Sequence, residues 1–355
     1  HETEYSPGPW NKRMAVFAGE GGFGPEIDGA LELAAIWIFE SMPTEFDYSM
    51  TYAADSSDYY LPPAAWDAEY ARAYTAGALM QPYIGHTKGT AECGELQPPP
   101  RRGLVTFFAC SDGTYQYGDS EISLAEDVLF RSQGPIATVA GSDITHPYAN
   151  AVLPRELGRA ILESRLMTYG EALTQAKWDM IHNEDPLRGT LEQAAAPFLD
   201  APADDILNEH LVLYNYFGDP AAQTRLPPGR LRFELSADRL SPGQRLTVSG
   251  KAWRDQSETP MAAGRIQVSL QTKLNQIPGE LLPRESTDHD EELCIHNHSV
   301  ANDKVLASVE GDVIGGEFSV VVTLPAEARS GEIFVKLFAW DEEADALASQ
   351  TIRVQ

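Results

Sequence analysis

The hydrophobic period of this 355-residue chain changes once, at Leu226-Pro-Pro-Gly229. Before that point, short apolar runs alternate with longer stretches whose apolar residues recur every three or four positions. That is the rhythm of βαβ units and a largely parallel sheet covered by helices. Beyond it, apolar and polar residues alternate singly between turn signals such as Ser241-Pro-Gly243 and Gly315-Gly316, the pattern of a β-sandwich of roughly seven strands. Two prolines and a glycine in succession make a stiff, helix-breaking stretch of the kind that separates domains. The expected division is therefore 1–226 as an α/β domain and 227–355 as an all-β one. Length agrees, because a single core rarely grows beyond about 250–300 residues.

Within the first part, strands are expected at 14–18, 48–53, 79–85, 104–109 and 136–140, and helices at 26–41, 67–76, 124–132, 153–165, 170–181 and 203–214. In the second part, strands are expected at 231–235, 245–249, 265–270, 317–323 and 332–338, with no long helix. The polar, irregular stretch 276–302 reads as an excursion between strands.

Fifty-three Asp and Glu against 26 Lys and Arg give a formal charge of -27. Such a surface repels phosphate backbones, so nucleic acid is not an expected partner. No apolar run approaches the roughly 18 residues that cross a bilayer, and the longest, 31–39, is interrupted by Glu32, so no membrane span is expected. Three cysteines, Cys93, Cys110 and Cys294, cannot all pair, which leaves a thiol for chemistry.

Two apolar runs end abruptly in a reactive side chain. Tyr83-Ile-Gly-His86 delivers an imidazole into a loop, and Leu104-Val-Thr-Phe-Phe-Ala-Cys110 delivers a thiol in the same manner. In open α/β sheets, sites gather at the carboxyl ends of the strands, so both groups can face one crevice. The thiolate is the competent nucleophile, an adjacent imidazole takes its proton, and the imidazolium then protonates a leaving amine. The amide of Cys110 with backbone groups beside His86 would stabilise an oxyanion, and that chemistry requires no cofactor. Taken singly, Cys110 reads equally as a buried hydrophobe and His86 as a loop histidine.

The order apolar strand, Gly-His, apolar strand, Ala-Cys resembles the clan of caspases, legumains, clostripain and gingipains. Within it, Ala109-Cys-Ser-Asp-Gly113, then Ser123-Leu-Ala-Glu-Asp-Val-Leu129, then Gln133-Gly-Pro-Ile-Ala-Thr-Val-Ala-Gly141, is similar to the gingipain-like cysteine peptidases, family C25. The likeness runs on to Gly218-Asp-Pro220, which resembles the segment closing that family's catalytic domain. The resemblance implies a caspase-like three-layer αβα sandwich followed by an immunoglobulin-like β-sandwich, in a secreted or cell-surface bacterial cysteine endopeptidase acting on protein or peptide substrates. It implies Cys110 as nucleophile and His86 as general acid/base, with Gly85 and Cys110 near the oxyanion site. Asp143 is implied as the acid of a pocket for Lys or Arg, where a buried carboxylate would discriminate strongly; read from the residues alone, it equally caps a turn. His146 and Thr87 are further substrate-binding candidates. Family members usually carry Gly after the histidine, where this chain has Thr87; that departure leans toward the alternative, a catalytically inactive scaffold acting as a surface or assembly protein.

Remaining features carry weaker signals. The run Gly19-Glu-Gly-Gly-Phe-Gly24 lacks the dinucleotide spacing and reads as a turn walling the crevice. Family members often hold calcium as a structural ion, and Asp55, Asp58, Asp200, Asp204 and Asp205 are candidate donors, although without calcium-loop spacing. His289, Cys294, His296 and His298 could bind zinc or copper, the His-x-His pair projecting to one side if the segment is extended.

Overall fold

A computed structural model describes residues 7–19, 25–86, 103–116, 122–131, 134–285 and 290–355, the side chains of 25–31 and 198 excepted. Thr87 and Cys93 lie outside the described residues. The chain first runs β1 (Arg13–Ala18), α1 (Pro25–Glu40), β2 (Asp47–Tyr52), α2 (Pro63–Ala76), β3 (Met80–Ile84), β4 (Leu104–Phe108), α3 (Leu124–Phe130) and β5 (Ala137–Gly141). It continues through α4 (Pro147–Leu162), α5 (Tyr169–His182), α6 (Pro186–Ala195), α7 (Ala203–Leu213) and β6 (Tyr214–Gly218). These six strands form one sheet in the order β2-β1-β3-β4-β5-β6, parallel except for β6, which runs antiparallel to β5.

Strand alternation builds a layer on each face. Met14, Val16 and Ala18 of β1, with Leu104 and Phe108 of β4, pack toward α1, α4 and α5. Ala15, Phe17, Val105 and Phe107 pack the other way, against Trp66 and Tyr70 of α2 and Leu124 and Val128 of α3. Burial on both faces explains why these strands read as continuous apolar runs. The fold is thus mixed α/β, with helices on both sides of a mostly parallel sheet.

Residues 230–355 form β7 (Arg230–Leu235), β8 (Arg239–Leu240), β9 (Arg245–Trp253), β10 (Ala263–Gln271), α8 (Glu291–Asn302), β11 (Val305–Ile314), β12 (Glu317–Thr323), β13 (Gly331–Trp340) and β14 (Asp345–Val354). Strands β7, β9 and β12 pair with one another, and β11, β10, β13, β14 and β8 form a second run. A single pair, Ile314 with Glu317, links the two runs at a hairpin turn. Their shared core includes Val248, Val268, Leu337 and Ile352.

The structure departs from expectation at seven elements, of which β8, β11 and β14 are strands of the second part for which no range was expected. Helix α4 begins six residues early, because His146 caps it and Pro147 occupies its first position. Helix α6 and strand β6 were not anticipated. Helix α8 occupies part of the unassigned excursion and corrects the reading of the His-x-His segment as extended: 3.6 residues per turn send His296 and His298 to different faces, His296 exposed and His298 buried.

Candidate active site

Strand β4 ends in Phe107, Phe108 and Ala109, all fully buried, and the chain then emerges at Cys110, which is half-buried. Directly after it, Ser111 takes a left-handed φ of 59°, a conformation that costs a non-glycine residue energy and is held only where the surroundings fix it. Here the amide of Ser111 donates to Asp143 O at 3.0 Å and that of Gly113 to Gly141 O at 2.8 Å. The thiol therefore sits on a sharp bend tied to the end of β5.

Sulfur contacts come from one residue beyond β5. The amide of Thr145 lies 3.3 Å from Cys110 Sγ and the Thr145 hydroxyl 3.7 Å, while a protonated thiol can donate to Thr145 O at 3.5 Å. Thr145 Oγ1 accepts from Asn150 Nδ2 at 3.0 Å, and Asn150 Oδ1 in turn accepts the Tyr214 hydroxyl. All three side chains are buried. Burial pushes the Tyr214 phenol up, so it remains a donor. The chain of donors Tyr214, Asn150, Thr145 thus points at the sulfur, and thiolate receives both an N–H and an O–H.

Strand β3 delivers His86 to the neighbouring position. Its carbonyl accepts the Tyr83 hydroxyl at 2.7 Å, which fixes the backbone while the residue itself stays exposed. Gly85 is required by close approach: a Cβ there would stand 2.8 Å from Tyr83 Oη and 3.1 Å from the backbone of Gly19. The Gly85 amide donates to Phe108 O at 3.2 Å, so its N–H is engaged in the strand ladder beside Cys110.

His86 and Cys110 line one pocket of about 150 Å³, with Gly19, Gly85, Thr145 and Asn150. Its remaining wall is Ala34, Ala35 and Ile38 of α1, Pro147 and Ala151 of α4, and Ala18, Tyr52 and Ile84. A larger cavity, about 760 Å³, lies at the opposite end of the strands, against Arg13, Asp47 and Lys336. The smaller one holds the nucleophile candidate and opens at the carboxyl edge, where such sheets carry their sites.

Two expected pocket residues fall elsewhere. Asp143 is exposed, lies outside the pocket lining and turns its carboxylate back on the Ile144 amide at 2.8 Å, so it closes a turn, as its polar side chain does readily after a strand. His146 also lies outside the lining: its Nδ1 accepts from the Tyr148 amide at 3.1 Å, capping α4, and its own amide donates to His210 Nε2 at 2.7 Å. Burial lowers the pKa of His210, keeping that ring neutral and able to accept. Thr145, Asn150 and Tyr214 had no signal as a group in sequence, since Tyr214 lies 64 residues beyond Asn150. Among the described residues, no three His, Cys, Asp or Glu side chains gather as a metal site, the acids at 55, 58, 200, 204 and 205 included.

Comparison with known proteins bears on the first part of the chain. The sequence signature of peptidase family C25 matches residues 1–225. Among solved structures, the Arg-specific cysteine proteinase gingipain R aligns over 99% of this chain and 70% of its own, at 11% identity and a TM-score of 0.42. The complex of RgpB pro- and mature domains from Porphyromonas gingivalis gives 99% and 71% coverage, 11% identity and 0.42. Dimeric latent PorU from the same organism covers 62% of this chain and 20% of its own, at 18% identity and 0.28. No curated protein matches the chain. The structural likenesses are too distant to argue from, and the assignment stands on the signature, which spans well over half of the sequence: the chain belongs to peptidase family C25.

Proposed function

We propose that this protein is a cysteine endopeptidase, secreted or displayed at a bacterial surface, that hydrolyses peptide bonds through an acyl-enzyme. The supporting observation is that His86 and Cys110, arriving on adjacent strands, line the same pocket at the carboxyl edge of the sheet. In this reading Cys110 Sγ attacks the scissile carbonyl carbon, and His86 accepts the thiol proton and passes it to the leaving amine. Water, deprotonated by His86, then attacks the thioester and releases the acid. The Cys110 amide, beside Gly85, is the proposed oxyanion donor. Residues 1–226 would form the catalytic domain, and residues 227–355 an immunoglobulin-like module that stabilises it or presents substrate.

A peptidyl acyloxymethyl ketone, which alkylates only activated thiols, tests the reading. One equivalent is expected to attach at Cys110, with none attached in Cys110→Ala. Cys294 is buried on α8 and should stay unmodified in the folded protein. Equal labelling of Cys294, or no labelling at all, would favour a non-catalytic scaffold.

A further inference from the structure

We infer that the pocket beside Cys110 receives the side chain of the residue preceding the scissile bond, and that it selects a medium-sized apolar residue rather than Lys or Arg. This rests on the peptidase reading above and deepens it. The pocket has the candidate nucleophile and acid/base in its own wall, so a peptide carbonyl within reach of Cys110 Sγ places the neighbouring side chain at its mouth. Among the described residues its wall is largely alanine, isoleucine and proline from α1, β3 and α4, with Ala18 and Tyr52, and it holds no carboxylate. Of the polar groups in the wall, Thr145 and Asn150 are bonded to the sulfur and to each other, and Tyr52 and His86 bring rings rather than a carboxylate.

Physical chemistry then decides the occupant. A Lys or Arg entering here would leave water without a countercharge among the described residues, which disfavours it strongly. Each buried methylene instead favours binding by removing apolar surface from water. The volume of about 150 Å³ holds on the order of five non-hydrogen atoms, at the ~30 Å³ of a water-sized group. Val, Leu, Ile and Met meet both conditions. Arg and Trp exceed the volume, and Lys fits it only with its charge unpaired. Asp143, the carboxylate nearest in sequence to the sulfur's partner, is outside the wall and closes its own turn.

Fluorogenic peptides identical except for the residue before the cut (Leu, Met, Val, Ala, Trp, Lys, Arg), assayed on the full chain, test this. Leu, Met and Val should lead, with kcat/KM for Lys and Arg at least tenfold lower. Ala34→Leu, which extends a wall residue into the pocket, should move the optimum toward Ala; Ala34→Val should do so partially, which keeps the test alive if the larger change impairs folding. A lead for Lys or Arg, lost in Asp143→Asn, would overturn the inference while leaving the peptidase reading intact. Cleavage of no peptide, with Cys110 unlabelled by both leucyl and arginyl ketones, would overturn the peptidase reading and this inference with it.

Discussion

Replacing Thr145 by Val separates two roles that the sulfur's surroundings combine. The substitution keeps the branched shape and removes one oxygen, which both approaches Cys110 Sγ at 3.7 Å and accepts from Asn150 Nδ2 at 3.0 Å. Loss of the acceptor strands an amide donor on a residue only 5% exposed, which costs about 1–3 kcal/mol of stability. Loss of the hydroxyl leaves thiolate with the Thr145 amide at 3.3 Å as its remaining donor from this residue. A hydrogen bond to a charged group contributes about 1.5–3 kcal/mol, and sulfur at this length belongs at the low end, so reactivity should fall about tenfold. The assay is the rate of alkylation by iodoacetamide at neutral pH, paired with the urea midpoint of the same sample. Thr145→Ser keeps both bonds and should stay within about twofold of the parent in each. Tyr214→Phe removes the hydroxyl three hydrogen bonds from the sulfur, and should lower the urea midpoint as much as Thr145→Val with a smaller effect on alkylation. If Thr145→Val and Tyr214→Phe slowed alkylation equally at equal loss of stability, the directed donor chain would be packing alone.

Three further outcomes follow from the same structure. His86→Ala should reduce peptide turnover by roughly 10²–10⁴-fold while leaving the urea midpoint unchanged, because the side chain is exposed; a large stability loss would show that it holds the loop instead. Gly103→Ala should destabilise severely or fail to fold, as judged by circular dichroism, because the added Cβ would fall on the Ala78 carbonyl oxygen where β4 docks beside β3. Burial lowers Lys304 from its ordinary 10.5 to about 8, where Nζ donates to Tyr59 Oη at 3.0 Å and Gln276 O at 2.8 Å. The unfolded chain therefore binds more protons between about pH 8 and 10.5, so this residue's contribution makes stability rise across that window, with its full penalty present below pH 8. Lys304→Met should flatten that rise in urea midpoints measured from pH 7.5 to 10.5.

A stretch is legible in sequence where one physical cause dominates. Strands β1, β3, β4 and β5 were legible because burial on both faces turns each into an uninterrupted apolar run, and His86 and Cys110 stood out because each ends such a run in a group that apolar runs do not need. Where two structures share a local pattern, the reading divided. An aspartate just after a strand looks the same whether it enters a pocket or bonds the next amide, and Asp143 does the second. Strand β6 begins at Tyr214 directly where α7 ends at Leu213, with no breaker between them to mark the change. Helix α8 did carry a start signal, Asp290 followed by Glu291 and Glu292 in the first turn, but its polar, irregular composition left the stretch unassigned. The chain of donors to the sulfur was not legible for another reason: Asn150 could be read singly as a pocket wall, but Thr145, Asn150 and Tyr214 meet through tertiary packing, and no local rule brings a residue of β6 to the start of α4.

The placement of α8 also explains why the second part of the chain is attached where it is. Strand β2 is an edge of the parallel sheet, and an open edge with unpaired amides invites pairing with other chains. Here the outward-facing backbone groups of Tyr52 and Met50 have partners. Tyr52 exchanges bonds with the 59–61 segment, its amide to Tyr59 O at 2.9 Å and its carbonyl from Leu61 N at 3.1 Å. Two residues earlier, Met50 offers its amide to Asn302 Oδ1 at 2.8 Å and accepts from Asn302 Nδ2 at 2.9 Å, so a side-chain amide at the end of α8 stands in for a strand. At the start of β2, burial would raise the Asp47 carboxyl, but Lys336 at 3.2 Å and Lys12 at 2.8 Å outweigh it and hold the pKa below the ordinary carboxylate value. Lys336 belongs to β13 and Lys12 to the turn before β1, so one ion cluster ties both parts of the chain to this edge. Such contacts are directional and lose much when one partner is removed, which suits a fixed attachment that seals this edge of the sheet.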